Sequence, residues 1–401
     1  MTLFGLIPPW VALTASALAA LFLWGAIRLR ILYNVVDPCI QTIFQVCFTF
    51  WVLFFTNLLP LGDVLGYALF FTILITAAQS KWIKSGKPMI PEDEWLNFSY
   101  LFIVLLLFLN VYLIKQKGLL WSSDNLSDTR LNFYYGYGIF ARLNEFGVGV
   151  IGLSGFCLWS RGAKKLAILY LLFTACLLLT LGSRAGLIAL LFLYGAYARF
   201  SVERIKAGIL MLVGLVLSLS SLAIFYIMFG AQFLLMFGQR VIGYCDGPVY
   251  FFFSKLSGKL IYDPGYAFDS LLIALRFRTS PAYVPIGQML DWYFLRYVNP
   301  LTGPNPQFCV EAHVMYGPAY LFWYAFVAFA FVYLRRKTST CYSFFAISMI
   351  VGPLLGDSTF AGSQVFSAAL VLGLLFIVRY IRRLLLLATE NVRAQYRLEA
   401  Q

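Results

Sequence analysis

Apolar runs close to membrane-crossing length follow one another along this chain, and a single long interval breaks the rhythm. A helix needs ~20 predominantly apolar residues to cross a bilayer. Such runs fall at roughly 4–27, 39–59, 64–80, 97–114, 143–159, 166–181, 185–198, 207–229, 313–334, 341–357 and 363–380. The pattern predicts an all-α, multispan integral membrane protein of about eleven transmembrane helices, with residues 1–401 forming one membrane domain. Composition agrees: 61% of residues are hydrophobic and 12% charged, and the mean hydropathy is +0.82. A soluble core has no use for so many apolar residues, whereas lipid-facing helices do. The first run lacks a basic leading segment and a clear cleavage site, so it reads as a retained span.

The net charge of +13 would suggest nucleic acid as a partner in a soluble protein. Here it reads as basic loops on one face of a membrane, with no nucleic acid expected. Alternate loops carry Arg28, Arg30; Lys81, Lys84, Lys87; Arg161, Lys164, Lys165; Arg199, Arg204, Lys206; Arg335, Arg336, Lys337; and Arg379, Arg382, Arg383, Arg393, Arg397, which is 19 of the 30 cations. Short basic loops mark the cytoplasmic side. This puts the amino terminus outside, the carboxyl terminus inside, and the long interval 230–312 outside as one large loop. The outer segment 115–142, with Lys115, Lys117, Arg130 and Arg142, is a mild exception of the kind longer loops tolerate.

The long interval mixes aromatic residues with charges that include Arg240, Asp246, Asp269, Arg276, Arg278, Asp291, Arg296 and Glu311. Its runs Leu271–Leu275 and Met289–Tyr297 suit short amphipathic helices on the membrane surface. Cys245 and Cys309 both fall in it, and an oxidising compartment would permit a bridge between them. The chain's one histidine, His313, stands where the apolar phase resumes.

Three places carry candidate chemistry. Two short spans, Leu166–Leu181 and Ala185–Ala198, are joined by Gly182-Ser183-Arg184, so Arg184 lies near the outer headgroups. Its guanidinium suits bidentate phosphate binding, against the plainer reading of an arginine snorkelling to lipid. Next comes Phe133 to Gly138, whose Tyr135 and Tyr137 suit stacking on sugar rings or an interfacial belt, followed by Arg142, Asn144 and Glu145. Arg142 and Glu145 share a helix face, so an ion pair competes with substrate contact there. The third is the loop end, with Glu311 and His313 as acid–base candidates and Asp291 behind them. They are two apart and on different helix faces, yet can border one cleft if the helix begins there. No metal-ligand spacing, phosphate-binding glycine loop or dinucleotide fingerprint occurs, so neither metal nor cofactor is expected.

Gly182-Ser183-Arg184-Ala185-Gly186, Arg142 to Gly147, and Pro304 to Gly317 closing a large outer loop resemble, in order and topology, motifs of the Wzy-type O-antigen polymerase and O-antigen ligase superfamily. The family's loop-end histidine often sits close to its proline; here Asn305 follows Pro304 and the histidine comes nine residues after that proline. The resemblance implies a GT-C-like membrane glycosyltransferase of the bacterial inner membrane with its active site facing the periplasm. It would transfer a growing glycan from undecaprenyl pyrophosphate to an incoming lipid-linked repeat unit, with a chain-length regulator as a possible partner. Arg184 and Arg142 would then meet the pyrophosphate, assisted by Arg276, Arg278 or Arg296, while Glu311, His313 and Asp291 serve the acceptor hydroxyl. An O-antigen ligase is the nearer alternative. A lipid-linked oligosaccharide flippase is the rival from another class, and it would need polar residues through the bilayer midplane.

Overall fold

The computed structural model describes residues 6–88, 90–118, 138–180, 186–201, 242–275, 277–278, 283–296 and 304–399, together with 216, 219, 223, 226 and 227. Among these the protein is all-helical, with no strands. The helices are α1 (Pro9–Arg28), α2 (Ile40–Phe55), α3 (Leu61–Gln79), α4 (Glu92–Lys117), α5 (Gly138–Ser160), α6 (Lys164–Thr180) and α7 (Gly186–Ala198). After them come α8 (Asp246–Phe253), α9 (Asp269–Ala274), α10 (Ile286–Leu295), α11 (Gln307–Tyr316), α12 (Tyr320–Lys337), α13 (Cys341–Leu354) and α14 (Ser358–Glu399).

Among the described residues, Pro9–Arg28, Leu61–Gln79, Glu92–Lys117, Gln307–Lys337 and Ser358–Leu384 are long and apolar enough to cross a membrane. Ile40–Phe55, Ala189–Ala198 and Cys341–Leu354 are shorter apolar helices. Leu13, Leu61 and Phe108 lie open on the outer surface, more than two-thirds exposed. Large apolar side chains displayed in this way suit a lipid solvent.

Local sequence sets the helix ends. Prolines stand immediately before α3 and α4, where a missing N–H is harmless. Helix α4 opens on Glu92, Asp93 and Glu94 and closes on Lys115 and Lys117, each set opposing the helix dipole, before Gly118 at φ 78. The acidic trio is engaged by basic side chains: Arg161 reaches Asp93 at 2.5 Å and Glu92 at 3.4 Å, and Arg379 reaches Glu94 at 3.4 Å. These pairs are exposed and contribute little to stability, but they show that α4 starts at the end of the bundle where α5 finishes.

Two large clusters of buried residues and a small third one, Val36 with Leu191, Tyr194 and Ala198, make up the core among the described residues. The first large cluster joins α1, α2 and α3 to the 242–290 segment, α11 and α12; the second joins α4 to α7 with α13 and α14. Close helix contact in the second depends on absent side chains. A Cβ on Gly147 would come within 2.1 Å of the Phe102 ring, and one on Gly149 within 2.1 Å of the Phe345 ring.

At the basic end, Arg335 is fully buried and its Nη2 donates to both oxygens of Asp37, at 2.5 and 2.6 Å. The loop reading of Arg335 therefore needs correction: it is a core residue, because Asp37, also buried, neutralises it. Asp37 in turn accepts from the backbone N–H groups of Tyr33 and Cys39, both at 2.9 Å.

The expected surface helices exist with shifted bounds, as α9 and α10, but they dock on the protein. Helix α9 packs on α14 and α10 on α8. Helix α10 buries Ile286, Leu290 and Asp291 while Trp292 and Leu295 face outward. The return to helical structure begins at Gln307, ahead of His313, so the last part of the 230–312 interval belongs to the packed bundle.

Candidate active site

Helix α11 is short and buried on every side, from Gln307 to Met315. Pro304 and Pro306 lead into it, and Gly317, at φ 48, breaks it from α12. This break delivers His313 in the last turn of α11 to the first turn of α3, where Asp63 sits. A carboxylate is favoured there by the helix N-terminus. The imidazole Nε2 is 2.8 Å from Asp63 Oδ1, and the Tyr324 hydroxyl donates to the same oxygen at 2.9 Å. Asp63 is 1% exposed and His313 9%.

Aromatic rings enclose the pair. Tyr320 stacks on the imidazole at 4.3 Å between centroids, and Phe251 and Phe252 of α8 stand at 5.7 and 5.8 Å. The Tyr320 hydroxyl lies where a Cβ on Gly62 would be, 2.2 Å away, so a glycine beside Asp63 makes the approach possible. The other imidazole nitrogen, Nδ1, faces the Ser257 hydroxyl at 3.3 Å. Ser257 is exposed, in a turn that also carries exposed Lys255 and Lys259.

A carboxylate only accepts hydrogen bonds. Nε2 therefore carries its proton toward Asp63, and in the neutral ring this tautomer leaves the Nδ1 lone pair facing the Ser257 hydroxyl. Such an imidazole, oriented by a buried carboxylate and open on its other nitrogen, is equipped to take a proton from an alcohol.

The other expected residues distribute as follows. Glu311 does not border the cleft with His313. It is fully buried on another face of α11, where its Oε1 accepts from the Ser358 backbone N–H at 2.8 Å and hydroxyl at 2.9 Å. It thereby caps the N-terminus of α14 and joins two helices. Asp291, on α10, is largely buried, and both α10 and α11 pack against α8. Burial raises its carboxyl to about 6. Asp246, at the head of α8, is pushed by burial to about 7, with the Asp291 carboxylate adding to the rise and the Gly247 backbone N–H opposing it. That N–H donates to Asp246 at 2.7 Å, and Gly247 lies so close to the Asn305 carbonyl that a Cβ would approach it to 2.0 Å.

Arg142 forms the ion pair with Glu145, at 3.0 Å, and Gln364 donates to the same carboxylate oxygen at 3.2 Å. Arg278 pairs with Asp269. The Arg296 guanidinium lies over the Trp292 ring at 5.5 Å. Arg184, Arg276, Tyr135 and Tyr137 lie outside the described residues. Cys245 and Cys309 are buried free thiols, without the bridge that their location would permit. Among the described residues no group of three or more His, Cys, Asp and Glu side chains is arranged to hold a metal ion.

Sequence reasoning singled out His313 but missed Asp63, Ser257, Tyr320 and Tyr324. Asp63 did leave a signal: it is a lone carboxylate at the mouth of an apolar run, where an ionisable group calls for a partner. No family model matches this chain, and neither a curated protein nor a solved structure does.

Proposed function

We propose that this protein is a membrane glycosyltransferase that polymerises undecaprenyl-pyrophosphate-linked repeat units at the periplasmic face of the bacterial inner membrane. The observation that carries the reading is the Asp63–His313 pair, with Nδ1 open to a hydroxyl at the exposed end of the site. In the reaction, an acceptor sugar hydroxyl takes the position now held by Ser257 Oγ. Its proton passes to His313 Nδ1, and its oxygen forms the new bond to the donor's anomeric carbon. The bond from that carbon to the carrier's phosphate oxygen breaks, and the pyrophosphate leaves with the electron pair.

The leaving group gathers negative charge in the transition state, and nearby fixed cations lower that barrier. Lys255 and Lys259, beside Ser257, supply positive charge on the described surface. Arg184 remains the residue that the resemblance assigns to pyrophosphate. About eleven spans, a GT-C-like arrangement and the amino terminus outside are part of the same proposal.

The test is incubation of the purified full-length protein, in liposomes, with defined lipid-linked repeat units, and sizing of the products on a gel. A ladder is expected from wild type and none from His313→Ala. An equal ladder from His313→Ala would remove this site from the chemistry. Movement of lipid across the bilayer without lengthening would identify a flippase instead.

A further inference from the structure

Four helices end on one cavity at the basic end of the bundle. Its volume is about 540 Å³, and its lining includes Arg28 at the end of α1, Arg30 just after it, Lys81 after α3, Arg199 after α7 and Arg336 near the end of α12. Helix α3 separates it from Asp63: its 19 residues span about 28 Å at 1.5 Å per residue. The cavity is therefore remote from the site around His313.

One account of these cations is that they cap helix ends. Arg336 Nη1 donates to the Ala77 and Ala78 carbonyls at 2.8 and 2.6 Å, and Arg199 Nη1 donates to the Arg335 carbonyl at 2.7 Å. Magnitudes show that capping is not enough. Each helix C-terminus acts as roughly half a negative charge, so four bring about −2. Against them stand the five cationic side chains just named. No carboxylate is among the described lining residues. The nearby Asp37 is engaged on both oxygens by Arg335. About three positive charges are left to be answered from outside.

The cavity is also shaped for recognition. Its volume falls within the range of small-molecule sites, ~300–1,000 Å³. Tyr33 forms part of the wall, and the Arg199 guanidinium carbon lies 3.8 Å from the centre of its ring, while Nη1 donates to the Arg335 carbonyl and the Thr338 hydroxyl, so the group is held in place. Arg30 holds a left-handed backbone, φ 63, that a side chain rarely adopts, and so turns the chain tightly at the rim. Guanidinium forks match phosphate oxygens two at a time.

We propose that this cavity binds a polyanion of the phosphate class, supplied either as the headgroup of an anionic lipid or as a free diphosphate. The inference stands apart from the transferase reading, because it concerns the opposite end of the bundle and is read by binding alone.

The experiment uses the full-length protein in neutral phosphatidylcholine nanodiscs, titrated calorimetrically with inorganic pyrophosphate. In parallel, its melting temperature is compared in nanodiscs with and without phosphatidylglycerol. The variant Arg30→Gln/Lys81→Gln removes two exposed lining cations, and Lys164→Gln/Lys165→Gln removes two exposed cations outside the lining. Saturable pyrophosphate binding, weakened at least tenfold in the first variant and unchanged in the second, identifies a free diphosphate. A rise in melting temperature with phosphatidylglycerol alone, lost only in the first variant, identifies a headgroup. If neither ligand has an effect, or if both variants lose the response equally, the proposal is overturned and the cations serve only helix ends and general surface charge.

Discussion

Asp63 and His313 are 250 positions apart in the chain, yet their side chains meet at 2.8 Å. Their contact ties the start of α3 to the end of α11. On the proposed chemistry, removing the imidazole with His313→Ala should lower polymer formation by about 10²–10⁴-fold at matched membrane expression. Asp63→Asn should cost less, since the ring is retained while its orienting charge is lost. Gel sizing of products from both variants checks the order. Wild-type output from Asp63→Asn would reduce the carboxylate to a packing group.

Ser257 separates two uses of the same histidine. If its hydroxyl only marks where the acceptor binds, Ser257→Ala should keep activity within several-fold of wild type. If Ser257 formed a covalent glycosyl intermediate, the same change would abolish turnover. We expect retained activity, measured as initial rate of polymer formation.

The Asp246 and Asp291 carboxyls, raised to about 7 and about 6, make stability depend on pH. Both sit above the unfolded value of 3.8, so the folded protein binds more protons between those values. Their contribution to stability is then fully present below about pH 4 and is lost as pH rises toward 7, by on the order of 1 kcal/mol per pH unit for each group while it titrates. Asp246→Asn should flatten this slope and raise the melting temperature at pH 7.5. A variant less stable than wild type at pH 7.5, with the slope intact, would refute the assignment.

The buried Arg335–Asp37 pair predicts an asymmetry between single and double changes. Arg335→Met leaves a buried carboxylate without its cation and should cost about 3–5 kcal/mol. Adding Asp37→Asn should recover part of that loss, because the charge itself is gone. Melting temperatures of the three proteins in one detergent decide it. Additive losses would show that the two residues act separately.

Much of the helical pattern was legible in hydropathy. The expected run 143–159 lies inside Gly138–Ser160, and 341–357 overlaps Cys341–Leu354. Hydropathy lost its hold where polar residues are satisfied by distant partners. Gln307 opens α11 and donates to Thr49, 258 positions away, at 2.8 Å, so a reading by local polarity delayed the helix to His313. The same limit hid Asp63. A lone carboxylate advertises a need for a partner but not which residue answers it. Charge counting likewise grouped Arg335 with its neighbours Arg336 and Lys337, because it contains no depth. The glycines beside the site became meaningful only with the rings above them, as with Gly62 beneath Tyr320.

The Asp37–Arg335 pair also sets an order of events during biosynthesis. Asp37 leaves the ribosome 298 residues ahead of its cation. At ~5–20 residues per second, that is about 15–60 s of synthesis. Throughout this time the first three helices carry an acidic group that their own sequence does not neutralise through Arg335, and their basic end stays unsealed until α12 is made. A chain truncated before that point lacks the cation that neutralises Asp37. The residue that neutralises Asp37 is thus made only after most of the chain, with α13 and α14 still to follow.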